Sequence, residues 1–243
     1  MHPTLLYNSK LRRTELALTN LGLGYIVTNV VFNDRSKSTL RRIIKDMSRT
    51  GANGISLNDC MLIGGATLNG LQDTLYHIRT SEQVAIGDIK KFYWRFRTPP
   101  TTWSLCRFWY RRDGMGGKLP WEECVITKAD FGARGAQSLA NAGADQIIAD
   151  HITPMNSELG KELKTKKYVD DVIVTSARDE PIEAKLEVVS NGLLKGGLVI
   201  KEWIISGKGS PTTSVELSFG GGEVGEKCLG FLWFPKTDRL APA

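Results

Sequence analysis

The stretch Lys164-Thr165-Lys166-Lys167-Tyr168-Val169-Asp170-Asp171-Val172-Ile173-Val174-Thr175 sets two adjacent carboxylates between a basic run and a β-branched run. Asp is a poor strand residue and neighbouring like charges repel, so such a pair calls for a compensating partner. Mg²⁺ suits that role, being a hard cation that prefers carboxylate and phosphate oxygens. The stretch therefore reads as the tight turn of an apolar hairpin whose acids hold a divalent metal. The plain alternative is an Asp-Asp turn with both side chains in water.

Outward from the turn, Arg134 to Ile148 carries small and apolar residues at helical spacing (Ala136, Leu139, Ala140, Gly143, Ile147), and Ile182, Leu186, Val189 and Leu193 predict a second amphipathic helix ended by Gly196-Gly197. Leu198 to Ile205, Ser214 to Phe219 and Lys227 to Phe234 read as strands. Upstream, Val84-Ala85-Ile86 is a short strand running into Gly87-Asp88, and Trp103 to Arg111 and Trp121 to Thr127 are β-rich. Leu11 to Leu21 and Leu68 to Ile78 fit helices, Tyr25 to Phe32 fits a strand, and Leu40 to Asp46 is short and mixed. This order predicts an α+β fold with an antiparallel sheet backed by helices. A sheet can bring Asp88 and Asp170 together from different strands, as two-metal catalysis requires when it clamps attacking and leaving oxygens.

At 243 residues, with 41% hydrophobic and 24% charged content, the chain is long enough to bury a real core. No window approaches 18 consecutive apolar residues and Met1-His2-Pro3 does not open a signal peptide, so the expectation is a cytoplasmic protein with no membrane partner. The four cysteines (Cys60, Cys106, Cys124, Cys228) form no C-x-x-C pair, and the three histidines (His2, His77, His151) form no H-E-x-x-H, which argues against a zinc site or a disulfide framework. Net charge is +6, and Lys10, Arg12, Arg13, Arg35, Lys37, Arg41, Arg42, Lys45 and Arg49 crowd the first fifty residues as candidates for phosphate contacts.

Seven segments, in order, resemble the reverse transcriptases of long-terminal-repeat retrotransposons of the BEL/Pao type, over roughly Tyr25 to Leu240. Arg42 to Ser48 with Asn53 to Cys60 resembles the fingers segment. Asp88-Ile89-Lys90-Lys91-Phe92-Tyr93 resembles the first catalytic motif, and Phe108 to Asp113 the strand after it. Phe131-Gly132-Ala133-Arg134-Gly135-Ala136 is similar to the glycine-bearing motif under the template base and incoming nucleotide, Tyr168 to Asp171 to the metal box, and Gly197 to Trp203 to the fourth motif. Leu229-Gly230-Phe231-Leu232-Trp233 is similar to the primer grip.

The resemblance implies a right-hand polymerase: residues 1–83 as partial fingers and 84–240 as palm, with room for a fingers insertion around 99–130 and no thumb past the primer grip. It implies an RNA-directed DNA polymerase core using two Mg²⁺ ions, with Mn²⁺ as the substitute. Asp88, Asp170 and Asp171 would be the catalytic and metal-binding acids, with Ile89 lending its backbone carbonyl. Arg42, with Lys37 as the accompanying lysine, would contact the nucleotide triphosphate, since a guanidinium fork suits phosphate. Phe131 and Gly132 would line the nucleotide site. Tyr93 would exclude a 2′-hydroxyl through its ring, and Leu229, Gly230 and Trp233 would form the primer grip. Partners would be an RNA or DNA template with primer, deoxynucleoside triphosphates and the rest of a retroelement polyprotein, with a virus-like particle as the alternative compartment.

Structural roles stand beside these: Tyr93 as a core aromatic, Arg42 as a solvated charge, Gly132 as a helix-entry turn. Gln137 stands where the family usually has proline, and Phe234 where a polar residue usually follows the primer-grip tryptophan. Two other functions fit the same residues. One is a catalytically inactive nucleic-acid-binding remnant of a retroelement polyprotein. The other is an RNA-dependent RNA polymerase palm, which shares the acids but does not need the Tyr93 gate.

Overall fold

The computed structural model describes residues 5–6, 25–32, 41–65, 68–113, 117–206, 218–219, 223–224, 226–229, 231–234, 237 and 239–242. The expected helix at Leu11 to Leu21 lies outside them, as do Lys37 and Gly230.

In chain order the strands are β1 (Leu5–Leu6), β2 (Val27–Phe32), β3 (Arg41–Asp46), β4 (Gln83–Ile89), β5 (Arg107–Tyr110), β6 (Glu122–Ile126), β7 (Asp171–Ser176), β8 (Ile200–Ile205), β9 (Ser218–Phe219), β10 (Glu223–Val224), β11 (Glu226–Cys228), β12 (Phe231–Phe234) and β13 (Arg239–Pro242). The α-helices are α1 (Leu71–Thr80), α2 (Ala136–His151), α3 (Ser157–Lys166) and α4 (Ile182–Lys195). The chain forms two compact units, Met1–Gly65 with Tyr93–Ala140 and Ala66–Phe92 with Asn141–Ala243. The fold is α+β with antiparallel pairing throughout the described ladders.

In the first unit, β1, β6 and β5 form a sheet in that order, and β2 pairs with β3. The mixed segment at Leu40 to Asp46 is a full strand, in register with β2 from Val27↔Asp46 to Phe32↔Arg41. Ile26, Met47, Leu57, Cys106, Phe108, Cys124 and Ile126 make the core. The β-rich reading of Trp103 to Arg111 is corrected at its start. Pro100–Leu105 is a 3₁₀ helix, because proline supplies the helical φ and lacks the N–H that a ladder needs.

In the second unit the sheet order is β7-β4-β8, with α3 packed on β7 and α4 across all three strands. Burial explains the central strand: Val84, Ala85, Ile86, Gly87 and Ile89 are all buried, so β4 reads apolar on both faces. Helix α3 is not apparent from composition, since Lys161, Glu162, Lys164 and Lys166 dilute its apolar stripe. Its signals are Asn156, whose side chain accepts a hydrogen bond from the Leu159 N–H at 3.0 Å, and buried Leu159 and Leu163 four residues apart. The strand expected over Lys227 to Phe234 is two strands, β11 and β12, turned at Leu229, whose φ is +51°. Among the described residues no helix is long and apolar enough to cross a membrane.

Candidate active site

Strand β4 carries Asp88 one residue from its end, and β7 begins at Asp171; the two aspartates face each other as cross-strand partners. Side chains alternate along strands, so Asp88 shares a face with Val84 and Ile86, and Asp171 with Ile173. Asp170 lies in the turn itself, where its carbonyl accepts from the Ile89 N–H at 2.9 Å. The sequence paired Asp88 with Asp170; in the sheet the register partner of Asp88 is Asp171, and Asp170 adjoins both.

The turn is closed by reciprocal backbone hydrogen bonds between Tyr168 and Asp171, both 2.9 Å. It is not the turn of a two-stranded hairpin, as the sequence leads one to expect: α3 runs directly into it, and the ladder partner of β7 is β4. Val169 takes φ +53° at its centre, a left-handed conformation that strains a β-branched residue by about 1–2 kcal/mol. The basic run before the turn is occupied elsewhere. Lys166 pairs with Glu162 at 3.2 Å and buried Lys167 with Asp145 at 3.3 Å, while Asn69 donates to the Lys164 and Lys167 carbonyls. These contacts fix the approach to the turn and leave its acids unneutralised by the lysines that precede them.

Burial, then the charges of Asp170 and Asp88, push the Asp171 carboxyl up to about 7, against a hydrogen bond from the Leu229 backbone N–H that pulls it down. Asp170 is raised by burial and by Asp88, and Asp88 by burial and Glu202 against the opposing pull of Lys201. An acid whose folded pKa exceeds its unfolded value destabilises the fold once the unfolded chain ionises. For Asp171 the loss begins near pH 4 and is complete above about pH 7. Asp171→Asn should therefore melt like the wild type at pH 4 and be more stable by about 2 kcal/mol at pH 8 in a chelator. Thermal melts at the two pH values test this; equal differences at both would refute it.

Three carboxylates with few opposing cations suit a hard divalent ion in their chemistry. Among the described residues no three His, Cys, Asp or Glu side chains are gathered into a ligand group.

Asp88 stands opposite an irregularity. The β4–β8 register shifts between Gly87 and Ile89, a bulge that leaves Asp88 without a partner in β8. A Cβ at Gly87 would stand 2.7 Å from Cε3 and Cζ3 of Trp203 and 3.1 Å from Ile200, so only glycine lets the indole lie against β4. Trp203 is held by its Nε1–H to Ser190 Oγ at 3.0 Å. Gly87→Ala should destabilise the protein by about 1–3 kcal/mol, and Trp203→Leu should recover part of that loss. A denaturant titration showing additive effects would contradict this packing.

Of the residues expected to form a primer grip, Leu229 packs against the cluster of Ile78, Val84, Ile86, Ile173 and Trp233, and Trp233 is fully buried in it. Trp233 thus anchors β12 to the sheet face that carries Asp88 and Asp171. Ile89 is buried, and its N–H is engaged by Asp170.

In the other unit, Tyr93 opens a 3₁₀ turn, meets Phe131 edge-on with ring centroids 4.7 Å apart, and donates its hydroxyl proton to Gln137 Oε1. Gly132 takes φ +87°, and its carbonyl accepts from Asn58 Nδ2 at 2.8 Å; the Asn58 Oδ1 accepts from the Arg134 N–H at 2.9 Å. Asn58 thus ties the fingers-like segment to the glycine-bearing motif, a role the sequence reading did not single out. Arg42 pairs with Val31 through β3, and its side chain lies outside the description. Lys45 is corrected as a phosphate candidate: it is buried in an ion pair with Asp130, which also accepts from Trp94 Nε1 at 3.0 Å.

No protein-family model matches the chain, and no curated protein sequence does. Among solved structures it is similar to the prototype foamy virus protease-reverse transcriptase: a mutant at TM-score 0.52 and 16% identity, and the native protein at 0.51 and 15%. Each match covers 80% of this chain and 24% of the viral chain, so this chain spans about a quarter of that protein's length. At such identity the likeness establishes a reverse-transcriptase-like fold.

Proposed function

We propose that the chain is the fingers-palm part of an RNA-directed DNA polymerase of the BEL/Pao retrotransposon type. The observation that carries the reading is the cross-strand pair Asp88 and Asp171 with Asp170 in the adjoining turn, three acids at one end of one sheet. The order of motifs and the reverse-transcriptase-like fold support it. In this reading the 3′-hydroxyl of a primer gives up its proton to water as its oxygen attacks the α-phosphorus of a deoxynucleoside triphosphate; the new O–P bond forms as the α–β bridge breaks and pyrophosphate leaves. Mg²⁺ bound by Asp88, Asp170 and Asp171 would supply Lewis-acid stabilisation of the charge on the attacking and leaving oxygens. The chain's own part is to orient the acids: the bulge in β8 interrupts the ladder opposite Asp88, the Tyr168–Asp171 turn positions Asp170, and the Leu229 N–H fixes Asp171. Tyr93 and Phe131 would shape the sugar side of the nucleotide, and a template-primer duplex would be the partner.

A non-catalytic nucleic-acid-binding remnant is the second reading, favoured by the net charge of +6, which suits a polyanionic partner without requiring turnover. Primer extension on RNA and DNA templates with Mg²⁺ separates the two. The polymerase reading expects deoxynucleotide-dependent lengthening of the primer; salt-sensitive binding with no extension would favour the remnant.

A further inference from the structure

We infer that Gln137 is a positioning residue for sugar selection, holding the Tyr93 ring in place through the Tyr93 hydroxyl; this rests on the polymerase reading above. Gln137 sits in the first turn of α2, and its Oε1 accepts the phenolic proton of Tyr93. Phe131 closes on the same ring from its edge at 4.7 Å. The phenol is therefore gripped at its tip by an amide and along its side by an aromatic.

The bond to Tyr93 does not look like a stability device. Gln137 Nε2 is buried with no hydrogen-bond partner among the described residues. An orphaned amide N–H is a net penalty that an apolar side chain of the same size would avoid. A residue that carries this penalty to present one acceptor to one hydroxyl is explained if the hydroxyl's position matters. A steric gate needs such a constraint, since an aromatic ring excludes a 2′-hydroxyl only while it cannot swing aside, and discrimination then rests on the clash with the wrong substrate. Gln137 also accounts for a departure from the family pattern: where proline has no side-chain acceptor, this chain places one within reach of its gate.

The hydroxyl thereby gains a role that a ring-only gate denies it. Tyr93→Phe keeps the ring and removes the tether, so it should relax selectivity instead of being silent.

The test is single-nucleotide insertion by the full chain on a primer-template, read as kcat/KM for deoxynucleotide over that for the matching ribonucleotide, with melting temperature measured alongside. Gln137→Leu should lower this ratio by about tenfold, Tyr93→Phe by a similar factor, and the double variant no further, because both remove the same bond. Gln137→Glu, which keeps an acceptor of equal reach, should stay within about twofold of the wild type; effects of its charge on the triphosphate cancel in the ratio. A folded Gln137→Leu protein with unchanged selectivity, or multiplying effects in the double variant, would overturn the inference while leaving the polymerase reading intact. A wild-type protein that binds primer-template but inserts neither sugar would overturn both.

Discussion

Asp88→Asn and Asp170→Asn proteins are expected to bind primer-template within about threefold of the wild type and to extend it at least about a thousandfold more slowly. Asn keeps the size and most of the shape of Asp but loses the charge that attracts a divalent cation and opposes the developing transition-state charge. Binding should survive because it comes mainly from Lys and Arg contacts to phosphates, and its affinity should fall steeply with salt in wild type and variants alike. Misfolding is a poor explanation for such a loss here. Burial already raises both carboxyls, so replacing either by a neutral amide relieves repulsion in the metal-free fold. An Asp170→Asn protein that still extends primers would remove the polymerase mechanism, and one that no longer binds them would place Asp170 in the nucleic-acid interface.

The second large effect concerns Tyr93. Tyr93→Val removes the whole ring, so ribonucleotide insertion should rise by about a hundredfold relative to the wild type, while deoxynucleotide insertion stays within about tenfold, or 1.4 kcal/mol of barrier. The structure adds a cost that a simple gate does not predict. The change deletes the packing against Phe131 and leaves Gln137 Oε1 without its donor, so the melt should shift by the equivalent of about 1–3 kcal/mol. Loss of both sugars together in a folded Tyr93→Val protein would assign Tyr93 to the scaffold and end its role in selection.

Much of the architecture was legible because its causes are local. The β-branched run after Asp171 and the apolar run before Asp88 are short and bounded by turn residues, so both strands could be read directly. The stripe of Ile182, Leu186, Val189 and Leu193 and its Gly196-Gly197 stop predicted α4 with nearly its observed bounds. Helix α3 was missed because its apolar stripe is only Leu159 and Leu163 among charges, and its cap acts through a side chain rather than through composition. The candidate acids were visible by type and by order along the chain. Their partners were not, since a register cannot be read from two separate runs.

Sequence alone determined the chemistry on offer: three hard-oxygen acids at the ends of apolar strands and a tyrosine five residues beyond the first acid. Those follow from residue identity and short-range propensity, while the resemblance alone marks Gln137 as standing where the family usually has proline. Tertiary structure alone decided that Asp88 faces Asp171, because cross-strand register is set by the whole ladder from Gln83↔Ser176 onward. It also decided that Lys45, Lys166 and Lys167 are spent on internal ion pairs with Asp130, Glu162 and Asp145, since a lysine's partner is whichever acid the fold brings within reach of its long stem. Tyr93 met Gln137 for the same reason: 44 residues apart in the chain, they are joined by a hydrogen bond that no periodicity encodes.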